Sequence, residues 1–351
     1  MVQSKRPRTS SHEITVKEEK SDFFDGLPDD LVVSILCKLS SSASCPSDFI
    51  NILLACKRLN RLGLHHTVLS KAAPDAFAVQ PKNWSDAAHR FIKKCVNAGN
   101  TEACYTLGMI RFYCLEDRGS GASLMARAAK THAQALYSLA VIQFNGSGGS
   151  KRDKDLRAGV SLCARAAYLG HIDALRELGH CLQDGYGVRQ NVTEGRRLLV
   201  EANARELASY IRPLLMKKTR PPRSHQHHHG CVKGSGCPLL SDFGCDLPAR
   251  KVHQTNRFLK EWFESGRGVL GQGLRLCSYG GCGRPETRAH EYRRCSVCGT
   301  VNYCSRGCQA LDWRIKHKVE CVPNEEWNGE EVGNGVGGMV EMEDAEPVIM
   351  E

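Results

Sequence analysis

The sequence predicts a mainly α-helical protein built from several small units and ending in a compact module held by metal. Three observations carry this reading. Alanine-rich segments with helical apolar spacing recur between Trp84 and Tyr210. Eight Cys and His residues between Cys277 and Cys321 fall into four close pairs. The two ends, and a Pro, Gly and His-rich stretch before the pairs, show no periodicity and read as disordered. A length of 351 residues predicts two or three folded units.

The first segment, 1–22, is polar and charged, with a basic cluster at Lys5, Arg6 and Arg8 that reads either as a nuclear address or as chance. It lacks the apolar core of a secretory signal, and no run approaches the ~20 apolar residues of a membrane span. A nuclear or cytoplasmic protein with reduced thiols is therefore expected, which turns its 18 Cys away from a disulfide framework. Cys37, Cys56, Cys95, Cys104, Cys114, Cys163 and Cys181 stand singly on helix-like segments and are expected to be buried as small apolar residues. Net charge is +10, but 324–351 holds nine acids and no base, so the remainder carries +19. Such a surplus could attract nucleic acid or acidic protein surfaces, but with no basic stripe interleaved with aromatics it reads as solvated charge, and nucleic acid is not expected as a partner.

In 23–70, "LPDDLVVSILCKLS" opens a helix at Pro28 with Asp29 and Asp30 in its first turn, followed by Leu31, Ile35 and Leu39 at helical spacing. A second helix is expected over "DFINILLACKRLNRLG", capped by Ser47 and stopped by Gly63. Two such helices have more apolar surface than they can bury on each other, so the pair should pack on something else. The "LPDDLV" opening and the "CKRLNRL" segment resemble an F-box, although Leu59 stands where a tryptophan is common in the family. The resemblance implies docking on the Skp-type adaptor of a cullin-RING ubiquitin ligase through Leu27, Pro28, Leu31 and Ile35. The plain alternative is an ordinary helical hairpin.

Through 84–210 the chain repeats itself. "SLMARAAK" from Ser123 matches "SLCARAAY" from Ser161, and "RLLVEANA" from Arg197 continues more loosely. Alternating with these, "EACYTLGMIRF", "QALYSLAVIQF" and "DALRELGHCLQ" recur at intervals of about 32 to 39 residues. Ala103, Ala135 and Ala174, each followed five positions on by Gly108, Ala140 and Gly179, permit close helix approach. The array resembles Sel-type repeats, relatives of the tetratricopeptide fold, with "DGYGV" at 184–188 as the usual loop. Stacks of this kind present a surface for peptides or protein faces. Spacer and substrate platform are both open readings.

The stretch 217–251 reads as a linker, although His225, His227, His228 and His229 beside Cys231, Cys237 and Cys245 offer irregularly spaced metal donors. In 253–268, Phe258, Leu259, Trp262 and Phe263 form the apolar face of a short helix that should dock on a neighbour.

The cysteine pairs are Cys277/Cys282, Cys295/Cys298, Cys304/Cys308 and His317/Cys321, the donor count for two tetrahedral zinc ions. A redox role for Cys295 and Cys298 would need a βαβ setting that is not visible, and a His-containing set suits zinc better than an iron-sulfur cluster. Spacing and the words "YCSRGCQALDWRIKHKVEC" in 277–321 resemble the MYND zinc finger. Its interleaved pattern implies one ion on Cys277, Cys282, Cys304 and Cys308 and another on Cys295, Cys298, His317 and Cys321. The wide first pair leaves Cys277 and Cys282 the least secure, and His290 is a spare donor. Closed four-ligand sites are structural, and Arg284, Arg288, Arg293, Arg294, Arg306 and Arg314 are placed to offset their negative charge. The resemblance also implies binding of proline-rich peptides through Gln309 and Trp313; alternatively, Trp313 only covers the zinc core.

Taken together, the fold class is an F-box helical hairpin, a short α-helical repeat array and a small two-zinc MYND finger, with disordered ends, the acidic segment 322–351 among them, and a disordered linker. The combination resembles plant F-box proteins with a C-terminal MYND finger. It implies a non-catalytic subunit of an SCF-type ubiquitin ligase that binds target proteins through the repeats or the finger. The alternative is a MYND scaffold or transcriptional co-regulator outside ubiquitination. A methyltransferase is disfavoured, because no SET-like Asn-His-Ser-Cys stretch is present.

Overall fold

The computed structural model describes residues 26–216 and 251–323. The basic N-terminal segment, nearly all of the His-rich linker and the acidic tail lie outside the described residues. The chain divides into two compact units: one comprises Met1–Val79 with Asn83–Leu107, the other Gln80–Lys82 with Gly108–Glu351. Among the described residues no helix is long and apolar enough to cross a membrane.

In the first unit, helix α1 (Asp29–Ser42) begins after the extended Pro28, with Asp29 and Asp30 against the positive end of its dipole. Its inner face is Val32, Leu36 and Ser40, all buried, and the Ser40 hydroxyl donates to the Val68 carbonyl at 3.1 Å. The segment expected to be one second helix is two, α2 (Pro46–Ala55) and α3 (Lys57–Gly63). They break at Cys56, whose backbone is extended and whose Sγ accepts from the Leu59 N–H at 3.4 Å. The Asn60 amide replaces a lost helical bond by donating to the Leu53 carbonyl at 2.7 Å. Cys45, not Ser47, precedes α2, with Pro46 as its first residue. The Asp48 carboxylate, holding the Ser44 and Cys45 N–H groups, secures that turn. Gly63 does more than stop α3: a Cβ there would stand 2.5 Å from Leu53 Cδ2, so the residue lets α3 lie close on α2.

Arg58 and Arg61 reach back to Asp29 at 2.7 and 2.8 Å, and Arg58 also donates to the Leu27 carbonyl, which fixes the Leu-Pro entry to α1. Helix α4 (His66–Ser70) follows, and then α5 (Asp86–Asn97), whose Phe91 meets Phe49 with ring centroids 5.9 Å apart. Helix α6 (Thr101–Tyr113) crosses from the first unit into the second. Its cap, the buried Asn100, accepts from the Ala103 N–H and donates to the carbonyls of Leu69, Ser70 and Ala72.

The second unit continues the array with α7 (Arg118–Ala128), α8 (Ala133–Asn145), α9 (Leu156–Tyr168), α10 (Ile172–Asp184) and α11 (Val192–Met216). The caps are periodic. Asp117, Asp155 and Asn191 open α7, α9 and α11, while His132 and His171 open α8 and α10 by accepting through Nδ1 at 3.2 and 3.1 Å. Glycine pairs sit where helices cross: a Cβ on Gly121 would be 2.7 Å from the Gly108 carbonyl, and one on Gly195 would be 2.7 Å from that of Gly179. Backbones so close exclude any side chain between them.

Helix α12 (Gln254–Glu264) buries Phe258, Leu259 and Trp262, with the two aromatic rings stacked at 5.6 Å. It lies against the start of the C-terminal module: Asn256 donates to the Gly281 carbonyl, and a Cβ on Gly283, at φ +72°, would stand 2.4 Å from the Asn256 carbonyl oxygen. The module itself holds a two-residue antiparallel pair, β1 (Arg293–Arg294) with β2 (Asn302–Tyr303), in the register Arg293 to Tyr303. It ends in α13 (Arg306–Asp312), a π-helical turn (Trp313–His317) and α14 (Lys318–Glu320).

Of the lone cysteines expected in the core, Cys95, Cys104, Cys163 and Cys181 are buried, Cys37 and Cys114 are half-buried, and Cys56 is exposed because it forms the break before α3.

Candidate metal centre and protein-binding faces

Short turns place the donors. The Cys277 N–H donates to the Arg284 carbonyl and the Cys282 N–H to that of Tyr279, closing the first loop so that its two thiols face the same way. The Cys295 N–H bonds the Val301 carbonyl across the hairpin, and the Gly299 N–H bonds the Cys295 carbonyl, with Gly299 at φ +65° making the turn that brings Cys298 back to Cys295. Cys304 leaves β2, while Cys308 sits in the first turn of α13, where its N–H bonds the Ser305 cap at 3.0 Å. The π-helical turn carries His317, and Cys321 follows α14.

Two four-donor sets result. The sulfurs of Cys277, Cys282, Cys304 and Cys308 lie within 4.8 Å of one another, as do the donors of Cys295, Cys298, His317 and Cys321. Edges measure 3.5 Å for Cys282 to Cys304, 3.7 Å for Cys304 to Cys308, 3.9 Å for Cys295 to Cys321 and 3.5 Å for Cys298 Sγ to His317 Nε2. A zinc ion with Zn–S bonds near 2.3 Å sets tetrahedral sulfur edges of about 3.8 Å, so both sets fit one ion each. The chemistry agrees: burial pushes the Cys277 thiol up and the neighbouring thiols push Cys308 up while they hold Cys282 down, so the set needs a cation before all four sulfurs can be thiolates. His290 is exposed, held at φ +57° with Nδ1 on Arg294 at 2.7 Å, and belongs to neither set.

The arginines also tie the finger to the repeats. Arg284 reaches a thiol, 3.3 Å from Cys282 Sγ, and it also donates to the Ser138 hydroxyl on α8 at 2.9 Å. Arg288 donates to the Asn145 and Gly146 carbonyls at the C-terminal end of α8, where the helix dipole is negative. Arg306 bonds Asp184 at 2.7 Å and lies over the Tyr186 ring at 3.9 Å, using the "DGYGV" loop. Arg314 reaches Asn203 at 3.4 Å.

These contacts belong to a wider seam between the finger and the repeats. The buried Glu177 carboxylate accepts from the Arg306 and Gly307 N–H groups at 3.2 and 2.6 Å, satisfying the open N-terminus of α13. Burial raises its pKa, and those two N–H bonds, together with Arg306, oppose the shift. Asn145 donates to the Cys304 carbonyl, and Tyr137 meets the Ser305 hydroxyl. Glu291, buried, gathers Thr287, Arg288 and Ser147. The finger thus lies on α8 and α10, and the repeats act as its base.

Among the described residues, the α1 stripe and the Trp313 face are both exposed. On α1, Leu31, Ile35 and Leu39 are 50, 37 and 45% exposed, forming a stripe next to the buried one, about 100° around the helix. Pro28 is exposed beside them, and Leu27 is half-buried. On the finger, Trp313 is 38% exposed, its ring edge-on to the ligand His317 at 5.7 Å, with Gln309 half-buried one turn earlier. The seam was missed in the sequence, although Ser138, Asn145 and Glu177 are polar residues on otherwise apolar helix faces, a pattern that flags buried polar contacts.

Comparisons with known proteins agree with this layout. Residues 75–177 match a family described as plant tetratricopeptide repeats, and 277–321 match the MYND finger. Two Arabidopsis thaliana proteins, F-box protein At1g67340 and F-box protein At5g50450, are each 62% identical to this chain. The first aligns over 92% of this chain and 86% of its own length, the second over 93% and 92%. A solved Sel1 repeat protein from Oxalobacter formigenes is 21% identical over 33% of this chain and 88% of its own, with a TM-score of 0.30. The chain therefore belongs to the family of plant F-box proteins that carry tetratricopeptide-like repeats and a C-terminal two-zinc MYND finger.

Proposed function

We propose that the protein is the substrate-recognition subunit of an SCF-type ubiquitin ligase, without catalytic chemistry of its own, acting in the nucleus or cytoplasm. The observation that carries this reading is the bare apolar stripe of Leu31, Ile35 and Leu39, continuous in sequence with Leu27 and Pro28. Burying a Leu or Ile side chain fully is worth about 1.5–3 kcal/mol, and these three are already about half covered, so completing their burial offers roughly half of that each to a partner of matching apolar surface. Arg58 and Asp29 hold the Leu-Pro entry in place before any partner arrives. Target proteins are held by the finger, whose Gln309 and Trp313 offer an aromatic surface for a proline-rich segment.

The test is binding of purified full-length protein to a Skp-type adaptor, with Leu31→Asp/Ile35→Asp beside the parent. Both positions are exposed, so the fold should survive while adaptor binding falls at least a hundredfold. Equal binding by parent and variant, or none by the parent, rejects the reading in favour of a scaffold outside ubiquitination.

A further inference from the structure

A polar cleft of about 590 Å³ opens on the finger beside the second metal set, lined in part by Arg275, Arg294, Ser278, Thr300 and Asn302. Neither Gln309 nor Trp313 lines it, and neither does any carboxylate among the described residues. Both side chains are exposed, and among the described residues neither forms an ion pair: Arg275 donates to the Thr300 carbonyl at 3.2 Å, and Arg294 meets His290 Nδ1 at 2.7 Å. With five N–H donors on each guanidinium, most of that capacity is unspent.

Asn302 supplies a separate observation. It is 3% exposed, and its Oδ1 accepts from the Ser278 hydroxyl at 3.3 Å, yet its Nδ2 has no partner. A buried donor left unmade is costly, and this one belongs to a residue that lines the cleft. The Cys298 thiolate also lines the cleft but is committed to the second ion, so the two guanidiniums outnumber the anionic charge there and describe a receptor for an oxyanion. Arginine forks match the planar edge of a phosphate or carboxylate. A phosphate monoester carries three acceptor oxygens and a charge near −2 at neutral pH, which suits two arginines and an amide better than the two oxygens of a carboxylate. No aromatic ring lines the cleft to stack a base, which argues against nucleic acid.

We propose that this cleft binds the phosphate of a phosphorylated side chain on a protein partner. The proposal rests on the adaptor reading only in taking the partner to be a protein. It is tested without any Skp-type adaptor, so the two readings fail separately.

The experiment is a side-chain NMR titration of the zinc-loaded full chain with a Gly-flanked phosphoserine peptide, the same peptide bearing Asp, and inorganic phosphate. The Asn302 Nδ2 protons and the Arg275 and Arg294 Nε protons should shift with the phosphoserine peptide. Binding should be on the order of tenfold weaker for the Asp peptide and for inorganic phosphate, and at least as much weaker in Arg275→Gln/Arg294→Gln. Arg157→Gln, at an exposed position on α9, controls for general charge and should bind as the parent does. Unchanged binding in the double variant, or an Asp peptide as tight as phosphoserine, overturns the site. Inorganic phosphate as tight as the peptide overturns the protein-borne source. If Gln variants lose zinc, Arg275→Lys/Arg294→Lys keeps the charge without the fork. Weaker phosphoserine binding there supports the proposal, and equal binding overturns it.

Discussion

Arg284 and Cys282 are joined by a hydrogen bond of 3.3 Å in an interior where Arg284 is only 1% exposed, and the same guanidinium holds the Ser138 hydroxyl of α8 at 2.9 Å. One side chain therefore touches a metal ligand and a repeat helix at once. Loss of the ligand geometry must be felt in the array, and loss of the array must be felt at the ligand.

Zinc removal should accordingly reach beyond the finger. Structural zinc contributes about 10–16 kcal/mol per site in isolated finger peptides, and without it the turns that position Arg284, Arg288 and Arg306 have no anchor. Chelation should raise amide hydrogen exchange in α8 and α10 as well as in 277–321. Unchanged protection of Ala133–Asn145 in the chelated protein would show that the seam holds without metal.

Replacing Arg284 separates charge from packing. Arg284→Met keeps much of the volume but leaves a thiolate and a buried hydroxyl without their donor. Breaking one partner of a buried charged pair costs on the order of 3–5 kcal/mol, and loss of a supporting partner lowers metal affinity roughly 10–100-fold. Denaturant midpoints and competition with a chromogenic chelator measure the two effects; a shift in neither would remove Arg284 from both roles.

Trp313 offers the opposite case. Its ring is 38% exposed and packs edge-on against His317, so Trp313→Ala should keep both zinc ions while weakening the binding of a proline-rich target peptide at least tenfold. Zinc content by elemental analysis and peptide affinity by fluorescence polarisation give the answer. A variant that loses metal as well would make the ring a cover for the second site.

What the sequence made legible follows the range of the interactions. The repeats announce themselves because each helix pair repeats its own small residues, and the donor pairs do so because a short turn needs both cysteines close in sequence. The break at Cys56 is hidden, since apolar spacing continues across it and the deciding bonds come from Asn60 and the Cys56 thiol. Apolar spacing does not show the outward turn of Leu31, Ile35 and Leu39, which the F-box resemblance implies for the first two: α1 carries two adjacent apolar stripes, and the partners of Val32 and Leu36 decide which one is inside. The seam depends on pairs such as Glu177 with Gly307, which lie 130 positions apart and have no local signature.

His180, on α10, gives the fold a measurable pH response. Burial lowers its pKa from 6.5 to about 4; Asp184 opposes the shift, while Arg176 and Arg306 add to it, and its Nε2 has no partner. The unfolded chain takes up this proton near pH 6.5 and the folded chain only near 4, so between those values the unfolded state binds more protons and stability falls with acidification. The contribution is fully present above about pH 6.5 and is lost as pH falls through about 4. Carboxylates and metal release also act in acid, so the informative quantity is the difference from His180→Phe, whose stability between pH 6.5 and 4.5 should fall less steeply than the parent's. Parallel curves from urea titrations across that range would mean that His180 takes up its proton at the same pH in the folded and unfolded chain, with Asp184 offsetting burial.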